Sequence, residues 1–226
     1  YNKKQKNMKI LVIAPHPDDE VLGCGGTIKK HINSRDEVYL CEVTKSYTPD
    51  WTEEYIKQEM NELEDSSKFL GIKETFLLNL PAVKLDILGQ KKLNDLLLET
   101  VKKIKPEILY VPFYGDINSD HRLVSRACLV AARPRPGSSV KKVLAYEVLS
   151  ATEWGPPVFK NFIPNVYIDI SSTIKEKLKA LALYKSQLMP YPHPRSLEAI
   201  EILAKKRGIE AGLHYAESFM LLKEII

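Results

Sequence analysis

The chain has 226 residues, 44% hydrophobic and 27% charged, with 33 lysines and arginines against 29 aspartates and glutamates for a net charge of +4. This composition excludes a disordered chain and a disulfide-stapled scaffold, and the length is ample to bury one sizeable core. The positive excess is too small to argue for nucleic acid as a partner, and no apolar run approaches the roughly 20 residues that span a bilayer.

Met8-Lys9-Ile10-Leu11-Val12-Ile13-Ala14 reads as a start that runs straight into a buried strand. The seven residues before it read as a tail, and without the apolar stretch of a signal peptide they point to a cytoplasmic protein. Apolar continuity at 10–14, 38–43, 75–78 and 108–111 predicts short strands buried on both faces, as in a parallel sheet. Between them, helices are predicted over 21–32, over 51–70 ending at Gly71, and over 93–104 ending before Pro106. Further on, a helix is expected over 123–132, strands over 142–149 and 165–170 on either side of the turn Gly155-Pro156-Pro157, a helix capped by Ser171 and running to about Lys185, and a last helix over 196–207 before Gly208. Strand and helix alternate without a linker or repeat. The reading is a single α/β domain over 8–226, a Rossmann-like three-layer sandwich with a mostly parallel sheet and a smaller C-terminal extension.

The segment Ala14-Pro15-His16-Pro17-Asp18-Asp19-Glu20 falls at the carboxyl end of the first strand, the edge where open α/β sheets bind ligands. His16 and Asp19 stand three apart around a turn, so an imidazole nitrogen and a carboxylate oxygen can converge on one cation. Asp18 and Asp19 can equally cap the helix that follows. Crowding of acidic and imidazole groups at a strand end is more easily tolerated when a cation compensates it. Tyr114-Gly115-Asp116-Ile117-Asn118-Ser119-Asp120-His121-Arg122 follows a later strand on the same edge, and His121 would complete a His-Asp-His set. Cys24, Cys41 and Cys128 form no CxxC pair, so a cysteine zinc site is not expected. Gly23-Cys24-Gly25-Gly26 matches a dinucleotide fingerprint poorly, because three acidic residues occupy the turn where a pyrophosphate would sit; small residues for close helix packing explain it better.

His16-Pro17-Asp18-Asp19-Glu20 with the later Asp120-His121 resembles the PIG-L (LmbE-like) N-acetylglucosamine deacetylases. The resemblance extends through Gly23 to Gly26, the helix into Leu70-Gly71, and Arg207-Gly208 to Tyr215-Ala216-Glu217-Ser218-Phe219. It implies a zinc-dependent hydrolase that removes acetyl from an amino sugar or its conjugate. His16, Asp19 and His121 would ligate one Zn2+ per chain, and Asp18 would serve as general base. Asp120 would orient a ligand or cap its helix. One departure is plain: where the family commonly has His-Pro-Asp-His, this chain has Asn118-Ser119-Asp120-His121. Asn118 can donate a hydrogen bond to an oxyanion but cannot carry charge, so the family histidine's role passes to Asn118 or elsewhere.

Glu20, Tyr47, Trp51, Asp116, His193 and Arg195 are the candidate substrate contacts, with His193 or Arg195 as a replacement charged donor. Tyr47, Trp51 and His193 fit structural roles as well. The expected partner is a small or conjugated N-acetyl amino sugar, and a homo-oligomer is left open. Another metal-dependent amidohydrolase is one rival, as is a non-haem iron enzyme, since two histidines and a carboxylate also suit Fe2+. A sugar-binding relative that has lost turnover is a third.

Overall fold

The computed structural model describes residues 7–156, 158 and 161–226. Most of the expected tail, residues 1–6, and Pro157 of the expected turn lie outside the described residues. The chain runs β1 (Lys9–Ala14), α1 (Asp19–Asn33), β2 (Glu37–Lys45), α2 (Glu53–Leu70), β3 (Glu74–Pro81), α3 (Gln90–Ile104), β4 (Ile108–Pro112), α4 (Ser119–Ala131), β5 (Lys142–Tyr146), β6 (Val166–Asp169), α5 (Ile174–Leu181), α6 (Leu197–Ala211) and β7 (Ala216–Glu224). The strands form one sheet in the order β3-β2-β1-β4-β5-β7-β6. β1 pairs in parallel with β2 and β4, and the parallel pairing continues to β3 and β5. β7 enters antiparallel between β5 and β6.

Side chains of a strand alternate between faces, so β1 feeds two cores. Leu11 and Ile13 pack with Leu93, Leu97 and Val101 of α3 and with Val124 and Cys128 of α4. Ile10, Val12 and Ala14 pack on the other face with Val21 and Ile28 of α1, Leu63 and Leu70 of α2, and Leu181 and Tyr184 beyond them. This is the expected three-layer α/β arrangement, and β7 with β6 extends the sheet at its C-terminal edge. The sheet's chain order reverses between β1 and β4, and a crevice at their carboxyl ends is where such a topology places a ligand.

Several boundaries differ from expectation, each for a local reason. α4 begins at Ser119 rather than at 123, because the Asn118 side chain accepts from the Asp120 amide as an N-cap. α2 begins at Glu53 under a Thr52 cap. Ser171 is not the cap of α5, a position taken by Thr173; its hydroxyl donates to Asp169 and accepts from the Tyr215 amide, tying β6 to the start of β7. α5 ends at Leu181, short of the expected Lys185. β5 and β6 are shorter than predicted, ending at Tyr146 and Asp169. Gly208 does not end α6, which continues to Ala211 and closes on Gly212. Gly208 is there for close approach: a Cβ would sit 2.6 Å from the Leu213 carbonyl oxygen. Close packing also explains Gly23, where a Cβ would lie 2.3 Å from the Tyr146 ring. β7 itself had no counterpart in the sequence reading.

Candidate metal centre

The turn after β1 is fixed from its neighbour. Pro15 offers its carbonyl to both the amide and the hydroxyl of Thr44 at the end of β2, at 3.1 and 2.7 Å. α1 then starts at Asp19, which puts Asp18 at the N-cap position with φ 106, a left-handed conformation that non-glycine residues seldom adopt. The Asp18 side chain makes no capping bond, and both of its carboxylate oxygens are buried without a hydrogen-bond partner. A cap role therefore does not account for this aspartate.

At the end of β4 the chain turns through Asp116, whose Oδ1 accepts from the Asn118 amide. The Asn118 cap starts α4, so His121 falls in the first helical turn and faces the loop after β1. Each imidazole is gripped from behind by a carboxylate. His16 Nε2 lies 3.1 Å from Asp120 Oδ2, which also accepts from the Val83 amide at 2.6 Å. His121 Nδ1 lies 3.0 Å from Asp116 Oδ2, which in turn accepts from the Thr152 hydroxyl at 3.0 Å. These contacts fix the ring orientations and leave His16 Nδ1 and His121 Nε2 facing each other at 3.2 Å.

Asp19 Oδ2 completes the triangle, 3.2 Å from His16 Nδ1 and 3.1 Å from His121 Nε2. A tetrahedral ion with bonds of about 2.0 Å sets its donors roughly 3.3 Å apart, so the three atoms fit a zinc-sized cation. Asp19 Oδ1 has no partner among the described residues, as expected of a carboxylate shaped for an ion. Carboxylate-backed histidines are the usual support for such ligands.

The electrostatics follow from burial and charge pairing. Burial lowers the affinity of His121 for a proton, but Asp19 and Asp116 outweigh it and push the imidazole up to about 10. His16 is likewise raised, burial being opposed by Asp120 and Asp19. Burial pushes Asp19 up, yet the two histidines hold it well below the usual carboxylate range. Asp18 is raised well above that range by burial, against the pull of the Arg195 guanidinium. Positive charge is thus favoured among the three donors, the preference a cation would satisfy.

A cleft of about 230 Å³ opens on this centre, lined among others by His16, Asp18, Trp51, Asn118 and Arg195. Of the expected substrate contacts, Trp51 and Arg195 line it and four do not. Glu20 is fully buried, bonded to the Tyr184 hydroxyl and the Asp18 amide, and burial pushes its carboxyl up to about 7. Asp116 is fully buried behind His121, where it orients a ring rather than meeting a substrate. Tyr47 stands behind Trp51, its hydroxyl on Asp50 and its ring under Lys84. His193 turns back on its own loop, where Nδ1 accepts from the Arg195 amide. Asn118 reaches the cleft wall, but its Oδ1 is committed to the cap, and Asp120 holds His16 rather than facing the cleft. Tyr55, Glu59 and Gln187 line the cleft without having been anticipated. The 55/59 spacing, one turn of α2, was the only sequence signal for the first two.

The profile described as PIG-L, GlcNAc-PI de-N-acetylase, matches residues 11–132, more than half of the chain. A diacetylchitobiose deacetylase of Thermococcus kodakarensis is 27% identical over 231 residues, covering 96% of this chain and 84% of the relative. An uncharacterized deacetylase of Escherichia coli K12, YaiS, is 28% identical over 190 residues, covering 80% and 92%. In fold, the conserved protein TT1542 from Thermus thermophilus superimposes with a TM-score of 0.79 at 23% identity, over 97% of this chain and 96% of that one. With the profile spanning β1 to α4, and so both strand ends that build the centre, the chain belongs to the PIG-L family.

Proposed function

We propose that the chain is a zinc-dependent N-deacetylase acting on an N-acetylated amino sugar or its conjugate. The observation that carries this reading is the convergence of His16 Nδ1, Asp19 Oδ2 and His121 Nε2 beside the Asp18 carboxylate, which accepts no hydrogen bond from the described residues. Family membership and the named activity of the Thermococcus relative support the reaction class. The single continuous sheet supports one catalytic domain over 8–226.

His16, Asp19 and His121 would hold the ion, leaving positions open toward the cleft. When bound, a zinc ion supplies Lewis acidity toward the acetyl carbonyl and lowers the pKa of attacking water to about 7. Asp18 takes the proton of that water and returns it to the departing nitrogen, as a general base followed by general acid. Its burial and its free oxygens suit that exchange, because no hydrogen bond within the protein competes for the proton. Asp120 and Asp116 keep the two imidazoles in the ligating orientation. Trp51 offers an aromatic wall for a sugar face.

The test is acetate release from N-acetylglucosamine and diacetylchitobiose by protein stripped with a chelator and reloaded. Activity returning with zinc but not with ferrous iron, under anaerobic conditions, is the expected result. Return with iron alone would replace the metal. No acetate from any N-acetyl sugar by the zinc-loaded chain would remove the function.

A further inference from the structure

Amide hydrolysis builds negative charge on the acyl oxygen, and that charge is stabilised most by a donor already fixed where it forms. Arg195 is the only lysine or arginine among the described residues lining the cleft. Its position is set by neutral acceptors: Nε donates to the Ser150 hydroxyl at 2.9 Å and Nη1 to Gln187 Oε1 at 2.8 Å. Gln187 is itself held by the Tyr55 hydroxyl, on which its amide donates at 2.7 Å. The start of the same loop is tied down by Ser186, whose amide and hydroxyl donate to Glu62 of α2.

Because hydroxyl and amide oxygens anchor the guanidinium, its charge is not cancelled by its supports. The nearest carboxylate, Asp18 Oδ2, lies 3.5 Å from Nη1, beyond a normal hydrogen bond. Nη2 bonds no protein group among the described residues, and the side chain is 30% exposed on the cleft. The result is a rigid cation beside the proton-accepting group with one nitrogen to spare. Asn118, the other candidate donor, has its oxygen tied to the helix cap and carries no charge.

Resting on the deacetylase reading, we propose that Arg195 is a catalytic residue that donates from its guanidinium to the acyl oxygen of the substrate as that oxygen becomes negative. In the first step the water oxygen bonds to the acetyl carbon, its proton passes to Asp18, and the carbonyl π pair moves onto the oxygen facing Arg195. On collapse that pair re-forms the double bond and the C–N bond breaks. The nitrogen keeps the bonding electrons and takes the proton from Asp18, leaving acetic acid and the free amine. Water, amide and proton balance with no other reactant.

The experiment compares wild type, Arg195→Met, Arg195→Ala and Ser150→Ala, all zinc-loaded, with metal content and Tm recorded for each. Wild-type acetate release from N-acetylglucosamine or diacetylchitobiose tests the deacetylase reading by itself, and its absence with every N-acetyl sugar would end both. Given that activity, Arg195→Met is expected to lose on the order of 10²-fold or more in kcat with KM changed far less and zinc content intact. Millimolar guanidinium ion should restore part of the kcat of Arg195→Ala, whereas urea, similar in shape but neutral, should not. Ser150→Ala, which removes one support and keeps the cation, should fall between. A lowered Tm with unchanged kcat, or rescue absent with both additives, would reduce Arg195 to a loop tether and overturn the proposal. A rise in KM confined to phosphate- or carboxylate-bearing N-acetyl sugars, with kcat unchanged, would overturn it in favour of anion recognition.

Discussion

Each group at the centre has one geometric task, so each can be removed separately. The Asp18 carboxylate takes no hydrogen bond from the fold, its ion-pair partner being the Arg195 guanidinium at 3.5 Å, and Asp18→Asn should keep zinc and stability while kcat falls by roughly 10²-fold or more. Wild-type turnover in that variant would leave the aspartate without a role in proton transfer. Asp116 acts through His121, and Asp116→Asn should weaken zinc binding by roughly 10- to 100-fold in chelator competition, because the ring loses its anionic support. Unchanged affinity would mean that Asp116 only ties the Thr152 loop to the centre. Asn118 is bonded as a cap, so Asn118→Ala should cost about 1 kcal/mol of unfolding free energy and Asn118→Ser should recover most of it. An equal fall of kcat in both variants, regardless of stability, would restore the amide as a donor to the substrate.

At the scale of elements, the C-terminal third is joined to the sheet by a buried ion pair. Lys177 of α5 donates to Glu217 of β7 at 2.6 Å and to the Leu22 carbonyl of α1 at 2.8 Å. The same carboxylate accepts from the Gly26 and Thr27 amides. Three elements, α1, α5 and β7, therefore meet on two side chains that are each 4% exposed. Removing one member leaves the other charged and dry, so Lys177→Met should destabilise the fold by about 3–5 kcal/mol, read from urea midpoints. The double variant Lys177→Met/Glu217→Leu should recover part of that loss; a single variant as stable as wild type would show that the pair contributes nothing to docking β7.

For the whole molecule, acidic side chains buried around the centre make stability depend on pH and metal. Glu42 of β2 is buried with both oxygens unpartnered, and burial, then repulsion by Glu20 and Asp19, pushes its carboxyl well above the ordinary range. The folded chain then holds a proton that the unfolded chain releases, so this group's contribution to stability falls as pH rises from the ordinary carboxylate range toward the raised value. In chelated protein, Glu42→Gln should gain on wild type as pH rises above the ordinary carboxylate range; a difference constant with pH would show that folded Glu42 is ionised as it is in the unfolded chain. Zinc, binding only the folded form, should raise stability by about 2.7 kcal/mol at a free concentration 100-fold above its Kd. A Tm indifferent to zinc would argue against a site in the folded chain.

The meeting of His16, Asp19 and His121 was legible in the sequence because parallel strands all end on one edge of a sheet: a motif placed after β1 and another after β4 must meet there, although His16 and His121 are 105 positions apart. The helix-packing glycines were legible for a similar reason, since small residues on a helix mark close approach. What the sequence left undecided depended on contacts between distant segments. That Asp116 and Glu20 turn away from the cleft follows from the partners waiting behind them, His121 and Tyr184. That Arg195 rather than His193 reaches the cleft follows from the Ser150 and Gln187 oxygens that receive its guanidinium. The strand β7 was hidden because it pairs antiparallel between two strands that precede it, a placement set by its buried partners on β5, α1 and α5 and by no local pattern of its own.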